Sequence, residues 1–208
     1  MKGFTMSVKT HLGRLGLAAL ATAVLALAGC SSSGQHGTSG HTGAPAPSVS
    51  AGSTHNDADI TFAQGMIPHH QQAVRMAELA ATRAVDPQVA QLATQIKTAQ
   101  GPEIELMTGW LTAWGQPTAM PGHDMGNMAA MPGMMTDEQM AALEAMSGAA
   151  FDREFVAMMI AHHQGAVTMA KTEQAEGSDP AAKELAAKIE KDQTAEIAML
   201  QQIKDRLK

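Results

Sequence analysis

The chain has 208 residues, a formal charge of −6 and a hydrophobic share of 45%, built mostly from Ala, Met, Leu and Ile, with aromatics at only 3%. That composition suits helices packed through small and flexible side chains better than a β-sandwich. Acids and bases are interspersed without a basic block, which argues against nucleic acid as a partner, and a single cysteine excludes thiolate ligand clusters and any intrachain disulfide.

Residues 1–29 read as a lipoprotein signal peptide. Lys2, Lys9 and Arg14 supply the positive region, and Leu15 to Ala28 is an apolar run too short for a comfortable membrane span. The run ends in Leu27-Ala28-Gly29-Cys30, which resembles the bacterial lipobox, whose cysteine becomes the lipid-modified first residue. An ordinary secretory signal or an uncleaved anchor is the plainer alternative, but the one cysteine stands where the lipobox needs it. The expected product is an extracytoplasmic protein anchored to the bacterial cell membrane by lipid on Cys30, with 11 basic against 20 acidic residues once the signal is removed, or about −9. Residues 30–56 are rich in Ser, Gly and Pro without apolar periodicity and read as a flexible tether, in which His36, His41 and His55 are linker residues.

The domain, residues 57–208, is organised by an internal repeat. Met66-Ile67-Pro68-His69-His70-Gln71 returns as Met159-Ile160-Ala161-His162-His163-Gln164. At the same offset Asp59, Phe62, Val74, Met76 and Ala77 return as Asp152, Phe155, Val167, Met169 and Ala170, and Asp86-Pro87 as Asp179-Pro180. Such a gapless echo marks two copies of one supersecondary unit, repeat one over 57–115 and repeat two over 150–208. Asp57 or Asp59 caps a first helix reaching about Ala84, with Phe62, Met66, Ala73, Ala77 and Ala80 on one stripe and Gln64, Gln71, Arg75 and Glu78 pointing away. Pro68 should bend it at the histidines. Asp86-Pro87 opens the next helix, whose stripe of Val89, Leu92, Ile96, Gln100, Glu103 and Met107 carries two polar residues, as Gln193 and Glu196 do in the second copy. Gly101-Pro102 should kink this helix before it ends near Trp114-Gly115.

Residues 116–135 form a Met-rich connection, and Thr136 to Gln139 look like a capping box opening a short helix over 136–148, loosened at Gly148. The second His-His helix runs from about Ala150 to Glu176 and the last from Pro180 to about Leu207. The fold expected is all-α: a four-helix bundle, ferritin-like, made of two tandem helix hairpins related by a pseudo-twofold axis.

Two adjacent histidine pairs at equivalent places point to a metal. Met66 and Met159 lie one turn before the pairs, and Met76 and Met169 about two turns beyond His69 and His162. Imidazole suits several transition metals; thioether narrows the choice toward copper, Cu(I) above all. The bland alternative is that Met fills the core and the histidines bond Glu103 and Glu196. Adjacent helical residues diverge by about 100°, so His69 or His70 should join a Met of its own helix and a His of the other copy, or form one of two separate sites. The unused rings would bond Glu103 or Glu196, with Gln100 and Gln193 nearby in support; as direct ligands the glutamates would make a harder site. Glu-x-x-His pairs, the mark of a di-iron bundle, are missing, because Met stands three residues ahead of each first His. In the connection, Met120, His123, Met125, Met128, Met131, Met134 and Met135 can wrap a soft monovalent ion or simply pack over the bundle end. No nucleophile motif or phosphate loop is present in the sequence.

MIPHHQQAVRMAELA, MIAHHQGAVTMAKTE, the Asp-Pro helix starts and the Trp-Gly that closes the first half resemble the exported bacterial DUF305 family. The resemblance spans about Asp57 to Leu207. It implies a ferritin-like helical bundle, links to copper binding and tolerance in some members, and singles out Met66, His69, His70, Met76, Met159, His162, His163 and Met169. Gly101-Pro102 departs from the family's pattern. The reading is a lipid-anchored copper-binding protein for sequestration, tolerance or hand-over rather than an enzyme. The alternatives are an oxidoreductase using the same histidines, possible also with another transition metal, and a metal-free envelope scaffold.

Overall fold

The computed structural model describes residues 55–119 and 131–208. Cys30, the signal, nearly all of the tether, and Met120, His123, Met125 and Met128 lie outside the described residues.

Five helices account for the regular structure among the described residues: α1 Asp57–Arg83, α2 Pro87–Ala113, α3 Asp137–Ala145, α4 Gly148–Glu176 and α5 Pro180–Arg206. The links between α1 and α2 and between α4 and α5 are so short that each pair packs antiparallel, as expected of a helix hairpin. α1 and α4 pack on each other as well, while α2 and α5 meet far less, so the two His-His helices are the middle of the bundle. The expected stripes are buried: Phe62, Met66, Ala73, Ala77 and Ala80 on α1, and Val89, Leu92, Ile96, Gln100, Glu103 and Met107 on α2.

The helix starts follow local chemistry. Asp86 and Asp179 each accept two backbone N–H groups at the heads of α2 and α5, with proline at the first helical position. α1 is capped by Asn56, not by Asp57 or Asp59; Asp59 completes a capping box by accepting the Asn56 N–H at 2.6 Å. Asp59 has a further task, because its carboxylate also accepts Ser178 N–H at 3.1 Å and Asp179 N–H at 2.9 Å, ahead of α5. Its repeat twin Asp152 accepts Val85 N–H at 3.3 Å and Asp86 N–H at 2.9 Å, ahead of α2. Each hairpin thus caps the turn of the other. Burial would raise Asp59, but the Asn56 N–H, the neighbouring Glu173 side chain and the N–H groups of Asp179 and Ser178 outweigh that and hold it below the usual carboxylate range.

Pro68 and Pro102 lie inside helices that continue through them, and each withholds its own N–H from the ladder. Gly148, with φ at 66°, opens α4 two residues earlier than expected instead of loosening the end of α3. Gln64 is buried rather than outward-facing, and its Nε2 donates to Pro117 O at 2.8 Å as the chain leaves α2. Gln72 holds the far end of the connection, donating to Met135 O and accepting its N–H, both at 2.8 Å.

Candidate metal centre

α1 and α4 bring His69 and His162 together across their seam. The ring centroids are 3.8 Å apart with planes tilted by 42°, and the residues are 0% and 1% exposed. The divergence of adjacent helical positions turns the other two rings toward their own hairpins. His70 Nε2 meets Glu103 Oε2 at 2.9 Å, and His163 Nε2 meets Glu196 Oε2 at 2.7 Å. Each copy thus has one ring on the seam and one bonded to a glutamate. Glu103 is bound a second time, by Lys188 Nζ at 2.8 Å. Burial alone would raise the Glu103 carboxyl, but the hydrogen bonds from His70 and Lys188 leave it lowered.

The inward pair is short of partners. His69 Nε2 donates to Pro132 O at 3.1 Å, which leaves Nδ1 as the lone-pair nitrogen of its neutral ring. That Nδ1 and both ring nitrogens of His162 have no hydrogen-bond partner among the described residues; neither do Gln100 Oε1 and Gln193 Oε1. A buried polar atom left without a partner costs about 1–3 kcal/mol. Burial, followed by the neighbouring His70, pushes His69 down to about 3, and burial with the surrounding histidines puts His162 well below its ordinary value. Both rings are therefore neutral near pH 7, the form in which imidazole ligates metals.

The thioethers divide. Met66 and Met159 are fully buried, one turn before His69 and His162. Met66 packs in the apolar cluster of Phe62, Ala166 and Ala170, and Met159 in that of Ala73, Met76 and Phe155, so the two belong to different parts of the core. Met76 belongs to the latter core with Leu143 and Phe151, and it is its repeat twin Met169 that lies beside Met131 on a groove of about 430 Å³. Of the connection, Met134 and Met135 are buried, with Met135 packed into the core, so these two follow the packing alternative. Among the described residues no group of three or more His, Cys, Asp or Glu side chains is arranged to hold a metal. What the centre offers is two imidazoles, with a buried methionine one turn before each along its own helix.

Sequence reasoning missed the roof of this centre. The Pro132-Gly133 turn rests directly on α4. Gly133 has φ at 77°, and a Cβ there would meet Ala161 O at 2.6 Å. A Cβ on Gly165 would meet Pro132 O at 1.9 Å. Gly165 stands where the first copy has Gln72, the residue that grips Met135. The mismatch within an otherwise close repeat was the available signal, since one copy holds the crossing segment by hydrogen bonds and the other by making room.

The chain matches the family described as Domain of unknown function (DUF305) over residues 59–204. It is 35% identical to a putative secreted DUF305 protein from Streptomyces coelicolor, over 69% of this chain and 89% of that one, with a TM-score of 0.63. It is 30% identical to a DUF305 fragment from Deinococcus radiodurans, over 73% and 98%, with a TM-score of 0.67. It is 34% identical to CopM in the Cu(II)-bound form, over 72% and 97%, with a TM-score of 0.62. CopM has also been solved in Cu(I)-bound and Ag-bound forms, each 34% identical over 69% and 93%, with TM-scores of 0.57 and 0.56. No curated protein matches the chain.

Proposed function

Because the chain belongs to the DUF305 family, we propose that it is a copper-binding protein that sequesters or hands over copper outside the cytoplasm, held to the membrane by lipid on Cys30. The observation that carries the reading is the buried His69–His162 pair, with three ring nitrogens lacking hydrogen-bond partners among the described residues. An ionised carboxylate or ammonium in their place would need a counter-charge; a neutral imidazole pair needs only an electrophile of modest charge. The copper- and silver-bound forms of CopM support the same choice of metal.

Copper here is cargo. His69 Nδ1 and His162 supply lone pairs, and Met66 and Met159 add polarisable sulfur one turn away along the same helices. Glu103 and Glu196 fix the outward rings of His70 and His163, so these buttress α2 and α5 while the inward rings remain available. The absence of a hard carboxylate from the inner pair favours Cu(I) over Zn(II). Binding and release, without turnover of a substrate, is what such a set does.

The test is a Cu(I) competition titration on the exported chain with Met120, Met125 and Met128 changed to Leu and His123 to Asn, so that the connection contributes little. Replacing His69 and His162 by Leu in that background should remove the tight site, and the protein should stay folded because the one hydrogen bond lost, His69 Nε2 to Pro132 O, is offset by removing three unpartnered buried ring nitrogens. Retention of parental affinity would refute the reading. Partition of the protein with membranes, lost on Cys30→Ala, checks the anchor.

A further inference from the structure

The two ends of the α1–α4 seam should be alike if the repeat were perfect, and they are not. At one end Ala58, Gly65, Met169, Glu173 and Glu176 face one another across a groove, with Asp57 and Thr61 at its rim and Met131-Pro132 at its inner end. The repeat equivalents at the other end are Phe151, Met158, Met76, Ala80 and Arg83. That end is closed: Phe151, Met158, Met76 and Ala80 are buried in one apolar cluster with Met140 and Leu143 of α3. Small residues and acidic side chains therefore mark the open end, while a phenylalanine, a core methionine and an arginine mark the closed one.

The open end also points inward. On α4, Glu176, Glu173, Met169 and His162 follow one another at helical spacing on a single face. On α1, Ala58, Phe62, Gly65 and His69 form the opposing row. Carboxylate gives way to thioether and thioether to imidazole over about 20 Å of helix. Glu173 is 1% exposed, and neither of its carboxylate oxygens accepts a hydrogen bond among the described residues. The inner end of the groove is Pro132, whose carbonyl holds His69 Nε2.

We propose that this groove is the way in and out for a soft monovalent metal cation, with Met131 and Met169 taking the ion before His69 and His162 do. The proposal rests on the copper reading above and adds its route. Asp57 and Glu176 at the mouth raise the local cation concentration, the two thioethers select for a soft ion, and the ion keeps its charge throughout. The closed end offers the same histidine pair no approach, because its methionine is core and its mouth is filled.

The test measures rates. Cu(I) is delivered anaerobically to the full exported chain from a coloured chelator, and the kinetic phase missing from the H69L/H162L variant is assigned to the buried pair. Ala58→Phe, which copies Phe151 into the open mouth, should slow loading and release of that phase together by about tenfold while the affinity is retained. Met131→Leu with Met169→Leu should slow loading, and Asp57→Asn with Glu176→Gln should slow it and weaken its dependence on salt. Thermal melting checks that each variant is folded. Unchanged rates in folded variants would overturn the route and leave the copper site standing. If no phase is lost in H69L/H162L, the copper reading is overturned, and the route with it.

Discussion

Gly165→Ala separates the helix from the tertiary structure around it. In an isolated helix the change should stabilise by about 1 kcal/mol, since alanine loses less backbone entropy than glycine. Here the new methyl would lie 1.9 Å from Pro132 O, 2.4 Å from Pro132 C and 2.8 Å from Gly133 Cα, all backbone atoms. The turn must retreat by roughly 1.5 Å to reach ordinary contact. That retreat stretches the 3.1 Å bond from His69 Nε2 to Pro132 O beyond hydrogen-bonding range. An unpartnered buried imidazole N–H costs about 1–3 kcal/mol, and lifting Met134 even partly from its buried position adds about 1 kcal/mol. The net expectation is a loss of roughly 1–3 kcal/mol, or a melting temperature lower by about 3–8 °C for a domain of this size. Urea and thermal unfolding read the stability, and limited proteolysis between residues 116 and 135 reads whether the connection has come loose. A melting temperature raised by a few degrees, with cleavage unchanged, would refute the argument that this turn is seated on α4.

Acid should weaken the fold before the carboxylates titrate. His69, held at about 3 mainly by burial, and the similarly lowered His70 and His162 take up protons more readily unfolded. Stability is therefore full above pH 6.5 and falls as pH drops toward 3, and urea midpoints between pH 7 and 4.5 should show a slope that shrinks in H69L/H162L. Glu173 has the opposite sign. Burial, followed by the Asp59 carboxyl beside it, raises it to about 8, so its contribution is full below pH 4.5 and is lost as pH rises through 8, at about 1.4 kcal/mol for each pH unit by which it is displaced. Glu173→Gln should flatten that alkaline decline; an unchanged pH profile would refute the protonated state. Asp152→Ala leaves the Val85 and Asp86 N–H groups, whose bonds are part-buried, without their acceptor and should cost about 1–3 kcal/mol, measurable by urea unfolding; a cost below about 0.5 kcal/mol would show that the cross-capping is dispensable.

The helices were legible because their signals are local. Asp-Pro at a helix start, a capping box at Thr136, and apolar residues at helical spacing from Phe62 to Ala80 each act within a turn or two, and the chain folds there as they dictate. The division of each histidine pair was legible for the same reason. A 100° step between neighbours is a property of the helix itself, so one ring had to leave the seam and find Glu103 or Glu196.

Side chains and backbone groups far apart in sequence had to meet before the rest was decided. Asp59 repeats as Asp152, but only the packing of one hairpin on the other shows that each carboxylate caps its neighbour's turn, as the Asp59 bond to Asp179, 120 positions away, makes plain. Met76 and Met169 are equivalent in sequence, yet α3 and Phe151 bury the first while Ala58 and Gly65 leave the second on a groove. Gln72 and Gly165 are equivalent too, and the connection crossing over both is what makes one a clamp and the other a gap. A duplicated sequence determines two matching halves, because helix formation depends on near neighbours that were duplicated with it. The single connection joining the halves has no duplicate, so where it lies breaks the symmetry, and only the tertiary structure decides which copy of each residue meets the core and which meets solvent.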